Sequence, residues 1–215
     1  MEITALGLSS FKLRGKQATV VTDPYDSKAV GLKFPKNVEA DVITVSHDHP
    51  DHNEVTAVGG SPFIVSGPGE YEIKGVMVIG VATFHDDTQG ADRGKNTIYR
   101  IEIDGVKVGH LGDLGHVLSS AQVDSLNGVD VLFVPVGGVY SLDPVKAAQV
   151  ISDLDPHIVI PMHYNVEGLE EKTYGALSPV SAFLKQMNKE SVVPVSKLSV
   201  SKDKFAPEMQ VVVLE

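Results

Sequence analysis

The sequence predicts an α/β fold, one domain over residues 1–215, with two mixed β-sheets packed face to face and helices on their outer faces. Three observations carry this. The first half reads as short strands in series. The second half alternates strands with amphipathic helical patterns. The strands repeatedly end on His, Asp or Gly. No shift in composition, linker or strong internal repeat divides the chain, and 215 residues suit one larger domain.

Residues 3–8, 11–13 and 18–21 are short apolar or alternating runs separated by Ser9-Ser10 and Gly15-Lys16-Gln17, as in a β-meander. The third run leads to Asp23, just before Pro24. Asp23 there is either a turn carboxylate or an acid beneath a functional site, orienting a ligand histidine. Residues 26–39 lack a period and read as a loop.

Residues 41–46 form a buried strand that delivers His47-Asp48-His49-Pro50-Asp51-His52. Three histidines and two aspartates within six positions, after a core strand, read as a metal-ligand cluster rather than a polar surface loop. Imidazole with carboxylate suits Zn, Mn or Fe. If the segment stays extended, His47, His49 and Asp51 share one face, and His52 reaches a neighbouring point after the turn. One loop could then serve two metal ions.

A short helix is expected over 53–58, a strand over 63–65 and a hairpin around Gly75 within 70–79. A strand over 78–83 leads to His85, a candidate ligand, and then to a polar loop that holds Arg93. Residues 96–103 and 106–111 form a hairpin through Asp104-Gly105. It ends at Gly112-Asp113, where Asp113 is either a capping residue or a carboxylate shared by two metals. A short helix over 118–126 and an apolar strand over 129–136 follow. Asp143-Pro144 then opens an amphipathic helix whose apolar face is expected to include Val145, Ala148, Ile151 and Leu154. The strand over 157–161 delivers His163. Ser178-Pro179 opens a last helix, and short strands close the chain at 192–195 and 210–214.

Composition narrows the chemistry. Hydrophobic residues make up 42% of the chain and there is no cysteine, which excludes disulfides and thiolate zinc sites and leaves His, Asp and Glu as the strong metal ligands. The formal net charge is −10, from 18 basic and 28 acidic residues. Such a surface repels a phosphate backbone, so a small-molecule substrate is expected and nucleic acid is not. The first residues carry no secretory-signal pattern, and no apolar run approaches the roughly 18 residues that span a bilayer. A cytoplasmic location without a membrane partner is expected. Oligomeric state stays open, a homo-oligomer included.

His47-x-His49-x-Asp51-His52 resembles the signature of the metallo-β-lactamase superfamily, whose fold is a four-layer αβ/βα sandwich. Asp23, His85, Asp113 and His163 resemble that family's further stations, in its order, to about residue 165. The strings His110-Leu111-Gly112-Asp113, Pro135-Val136-Gly137-Gly138 and Pro161-Met162-His163-Tyr164-Asn165 are similar to those of small metal-dependent hydrolases related to the ascorbate-6-phosphate lactonase group. The chain departs from the classical β-lactamases in lacking their cysteine ligand. It also lacks the long RNA-gripping insertion of the tRNA-processing branch and the extra helical domain of the glyoxalase branch.

The resemblance implies two divalent ions, zinc first, with manganese or iron as alternatives. His47, His49 and His85 would hold one, Asp51, His52 and His163 the other, and Asp113 would bridge. It implies a metal-dependent hydrolase in which a metal-bound hydroxide attacks a small ester, lactone or phosphoester. Asp51 could orient the hydroxide, and His116, just past Asp113, is the candidate proton donor. Tyr140 and Tyr164 are alternative donors, Arg93 could bind an anionic substrate, His110 could support a ligand, and His157 reads as structural. An iron-binding redox protein and a non-catalytic metal-binding protein of the same fold are the competing readings.

Overall fold

A computed structural model describes residues 1–215. The first sheet has the order β12-β1-β2-β3-β4-β5, with β1 Glu2–Gly7, β2 Ser10–Arg14, β3 Thr19–Thr22, β4 Glu39–Val45, β5 Gly59–Ser66 and β12 Leu198–Ser199. The second has the order β13-β11-β10-β9-β8-β7-β6, with β6 Gly69–Ile73, β7 Val76–Phe84, β8 Lys95–Ile103, β9 Val106–His110, β10 Val131–Pro135, β11 Ile158–Met162 and β13 Gln210–Val211. Each sheet is mixed. β1, β2 and β3 pair antiparallel and β3, β4 and β5 parallel. β6 to β9 pair antiparallel, whereas β9, β10, β11 and β13 run parallel.

Side-chain alternation along the strands builds the layers. In β10, Val131 and Phe133 enter the core between the sheets, while Leu132 and Val134 face the helical side. β4 divides likewise, Val42 pointing between the sheets and Ile43 and Val45 outward. The Tyr99 hydroxyl ties the sheets together beneath the histidine loop: it donates to the Val45 carbonyl at 2.7 Å and accepts from the Gly67 amide at 2.8 Å.

Helices α2 Ser120–Ser125, α3 Pro144–Leu154 and α5 Val180–Gln186 belong to the second sheet's side. The outer face of the first sheet is covered differently. Phe34, Val38, Val55 and Val58, from a loop and a 3-10 turn at Val55–Ala57, pack on Leu6, Val21, Ile43 and Val45. The stretch expected to be a loop contains a one-turn helix, α1 Ser27–Val30, capped by the Asp26 carboxylate. Another one-turn helix, α4 Glu171–Tyr174, was not expected.

In α3 the buried face is Ala147, Val150, Ile151 and Leu154, and Val145 is exposed. Ile151 and Leu154 are buried as expected, whereas Val145 faces solvent and Ala148 is half-buried, their expected places on the face being taken by Ala147 and Val150. Residues 192–195 form no strand. Val195 makes one isolated bridge to Leu214, and the strand that joins β1 is β12. No helix is long and apolar enough to cross a membrane.

Candidate metal centre

Ligand-type side chains converge beyond the C-terminal ends of β4, β7, β9 and β11, where open α/β sheets commonly place their sites. They form two clusters, His47 with His49 and His85, and Asp51 with His52, Asp113 and His163. Within each, one ligand atom per residue lies within 4.8 Å of the others. The extended-strand reading of 47–51 does not hold past His49. β4 ends at Val45, and a turn closed by the His52 amide on the His49 carbonyl at 2.9 Å swings Asp51 over to the side of His52.

Asp113 stands between the clusters. Its Oδ2 lies 3.3 Å from His85 Nε2, 3.3 Å from His52 Nε2 and 3.2 Å from His163 Nε2. Asp51 Oδ2 lies 3.4 Å from His52 Nε2 and 3.5 Å from His163 Nε2. Yet His52 Nε2, His163 Nε2 and Asp113 Oδ1 are buried without a hydrogen-bond partner. Buried polar atoms are rarely left so. Ligand bonds of about 2.1 Å in a tetrahedron set ligand atoms roughly 3.4 Å apart, close to the separations seen. The residues therefore fit a divalent ion, which would give the orphaned imidazole nitrogens of His52 and His163 a partner.

One carboxylate braces a ligand in each cluster. Asp23 is fully buried. Its Oδ2 accepts from His52 Nδ1 at 2.7 Å and from the Ser46 hydroxyl at 2.6 Å, and its Oδ1 accepts the Ser46 amide at 2.8 Å. With its proton committed to Asp23, Ser46 Oγ accepts from His47 Nδ1 at 2.9 Å. Both imidazoles thus carry hydrogen on Nδ1 and turn the Nε2 lone pair inward. Asp23 and His163 hold backbone φ of 38° and 52°, left-handed values that cost a non-glycine residue energy and recur at functional sites.

Two glycines let the backbone close in. A Cβ on Gly112, at φ 53°, would meet Asn96 Oδ1 at 2.4 Å and Ser46 Cβ at 2.5 Å. One on Gly137 would meet the His163 carbonyl at 2.2 Å. Asn96, which nothing in the sequence singled out, accepts the Asp113 amide at 3.1 Å and donates to Thr83 Oγ1 and the Leu111 carbonyl. His110 accepts the Gly112 amide at 3.2 Å and donates from Nε2 to the Ser9 carbonyl at 2.8 Å, so it supports the turn that presents Asp113.

Burial, reinforced by the neighbouring His52, pushes His47 down to about 3, and burial also lowers His85. In the other cluster burial is outweighed. The Asp113 and Asp51 carboxylates raise His52 and His163, and those imidazoles hold both carboxyls well below the usual carboxylate range.

A cavity of about 320 Å³ opens onto His49, Asp51, His85, Asp113 and His163, and is walled also by Arg93, Tyr140, Thr173 and Tyr174. Tyr174 carried no motif in the sequence. It reaches the site because α4 folds back over His163, its ring centroid 6.3 Å from the imidazole. Other expectations are corrected. His116 is not brought to the clusters. Its Nε2 accepts the Phe84 amide at 3.2 Å, its Nδ1 donates to the Val117 carbonyl at 2.9 Å, and it lines a separate depression with Asp86 and Ser119. Both nitrogens are spent on backbone, so it is no proton donor here. Tyr164 lines another, largely apolar cavity beside Glu215, and the Tyr140 hydroxyl donates to the Thr173 carbonyl at 2.7 Å. His157 stacks on Phe205, as a structural residue would.

Residues 2–163 match the model of the β-lactamase superfamily domain. A metal-dependent hydrolase of Thermococcus onnurineus is 29% identical over 190 residues, covering 77% of this chain and 85% of that protein. One from Archaeoglobus fulgidus is 28% identical over 201 residues, covering 80% and 87%. The crystal structure of a candidate Zn-dependent hydrolase of the metallo-β-lactamase superfamily from Thermotoga maritima superposes with a TM-score of 0.80. It is 39% identical and covers 99% of this chain and 97% of that one. A family match over most of the chain, joined to this fold and these seven donors, means that the chain belongs to the metallo-β-lactamase superfamily.

Proposed function

We propose that this chain is a metal-dependent hydrolase that holds two divalent ions, zinc first with manganese or iron as alternatives, and cleaves a small ester, lactone or phosphoester. The observation that carries the reading is the pair of donor clusters meeting at Asp113 Oδ2, with buried donor atoms left unpaired. When bound, the ions supply an acidified water as nucleophile and a Lewis acid for the attacked group. The chain's own residues do the rest. Asp23 fixes the tautomers of His47, through Ser46, and of His52. Asp51, less buried than the other members of its cluster, faces the cavity and can orient the attacking water. Burial and the Asp51 carboxylate keep the Tyr174 phenol protonated, leaving it a hydrogen-bond donor to substrate. The buried walls around Asp113 and His163 exclude bulk water and strengthen these contacts.

The test joins metal analysis of the purified protein to a hydrolysis panel of lactones, phosphodiesters and amides. We expect about two zinc-type ions per chain, turnover abolished by a chelator, and turnover lost in Asp51→Ala. A full metal complement with no turnover on any member would overturn the hydrolase reading, and a coloured, iron-loaded protein that hydrolyses none of them would point instead to redox chemistry.

A further inference from the structure

The metal cavity does not end at the ligands. Beyond His49 a second, wider hollow of about 600 Å³ lies toward β5 and β8, its charged side chains being Asp48, Arg93 and Lys95. Two residues, His49 and Arg93, line both spaces, so Arg93 stands on their border. Together the spaces reach the upper part of the volume range of small-molecule sites. A substrate filling both would place its reacting bond at the metals and its remainder in the annex.

Arg93 is held at this border from both ends. Its amide donates to Asp86 Oδ2 at 2.7 Å, and the same carboxylate gathers the amides of Thr88, Gly90 and Asp92, which fixes the loop. Its guanidinium carbon lies 4.5 Å above the centre of the Tyr140 ring, which is itself tethered through its hydroxyl. The contact places the cation over the ring. The Arg93 guanidinium makes no ion pair or hydrogen bond within the chain, and neither does the ammonium of Lys95, which also lines the annex. One carboxylate, Asp48, shares the wall, and it accepts from Asn53. An unpaired guanidinium held over an aromatic ring, with a second unpaired cation on the same wall, suits a bidentate oxyanion.

Resting on the hydrolase reading above, we propose that the annex is the substrate's anion subsite: Arg93 and Lys95 bind a carboxylate or phosphate carried on the part of the molecule away from the scissile bond. The enzyme's substrates are then anionic at one end, and Arg93 sets that preference.

Two measurements on the zinc-loaded full chain test this. The first compares kcat/KM for 4-nitrophenyl butyrate with its carboxylate-terminated and phosphate-terminated counterparts, in wild type, Arg93→Met, Lys95→Met and Arg93→Lys. The anionic-to-neutral ratio should fall roughly tenfold or more in Arg93→Met, through KM, with less loss in Arg93→Lys. Whichever counterpart loses more identifies the oxyanion. The second follows amide NMR shifts on adding inorganic phosphate. Saturable shifts at Gly67, Gly94 and Lys95 that vanish in Arg93→Met support the subsite. Shifts confined to the surroundings of Asp113 and His163, or an unchanged ratio in Arg93→Met, would overturn it. Annex shifts without turnover of any ester would overturn the hydrolase reading and leave the anion site standing.

Discussion

The cluster of His47, His49 and His85 offers three imidazoles, whereas that of Asp51, His52, Asp113 and His163 sets two carboxylates against two imidazoles. Burial acts on both, with opposite outcomes. In the first it wins, and His47 and His85 lose affinity for protons. In the second the carboxylates win, and His52 and His163 hold protons more tightly. Without an ion, the second cluster sets imidazoles of raised proton affinity against carboxyls held low, while in the first His47 Nε2 lies 3.0 Å from His49 Nδ1, a contact between imidazoles that an ion would replace. The two clusters, a few ångströms apart, thus differ in what an incoming cation must displace: one imidazole–imidazole contact in the first, protons in the second.

Asp113 links the two, and its loss should give the largest effect. Asp113→Ala removes the oxygen lying 3.2–3.3 Å from ligands of both clusters. Turnover should fall on the order of 10³-fold, and metal content should drop in both clusters. His49→Ala should instead empty the first cluster and leave the ion of the second. Metal analysis of the two variants side by side decides the matter: equal losses in both would mean that the clusters do not act as separate sites.

Acid should separate the clusters next. His52 and His163 have raised proton affinity, so below their folded values each proton must be expelled before an ion binds. Affinity there falls as pH falls, by up to about tenfold per pH unit for each proton released. His47 stays neutral down to about 3, so it imposes no such requirement across the neutral and mildly acidic range. Metal content measured against pH should show the second cluster emptying first on acidification. Loss of the first ion before the second would reverse the comparison.

Asp23 offers a smaller and more even perturbation. Asp23→Asn keeps the shape but removes the charge that anchors His52 directly and His47 through Ser46. Metal affinity should weaken by roughly 10- to 100-fold, and in both clusters. A change confined to the second, measured by chelator competition, would mean that the Ser46 relay to His47 is dispensable.

Much of this cluster of candidate ligands was legible in the chain because its members sit on strand tips. Apolar β-branched runs announce the strands, and a His or Asp just beyond such a run has few structural reasons to be there. His47, His49, His52, His85, Asp113 and His163 were readable in this way. The rest depended on the path of the chain between strands. The turn after His49, which moves Asp51 to the other cluster, is closed by a backbone bond that no side-chain pattern encodes. His116 follows Asp113 by three positions, yet it turns away to satisfy the Phe84 amide and the Val117 carbonyl. Asn96 looked like the polar start of an alternating strand, and Tyr174 like one aromatic in an unpatterned stretch. Both matter through long-range contacts, the first beneath Asp113 and the second above His163.

Gly137 gives the finest test of the contrast between clusters, because it touches only one of them. The new Cβ of Gly137→Ala would stand 2.2 Å from the His163 carbonyl and 3.1 Å from Leu177. The first contact is with backbone, so β11 must shift at its end and carry His163 with it. Overpacking of this kind costs about 1–3 kcal/mol of stability, read as a lower thermal midpoint. Displacing one ligand of the second cluster should lower turnover by about tenfold. It should weaken the ion there while leaving His47, His49 and His85 untouched. If the variant instead loses both ions together, Asp113 couples the clusters so tightly that they fill and empty as one unit, and the difference in their proton chemistry would not appear as separate binding steps.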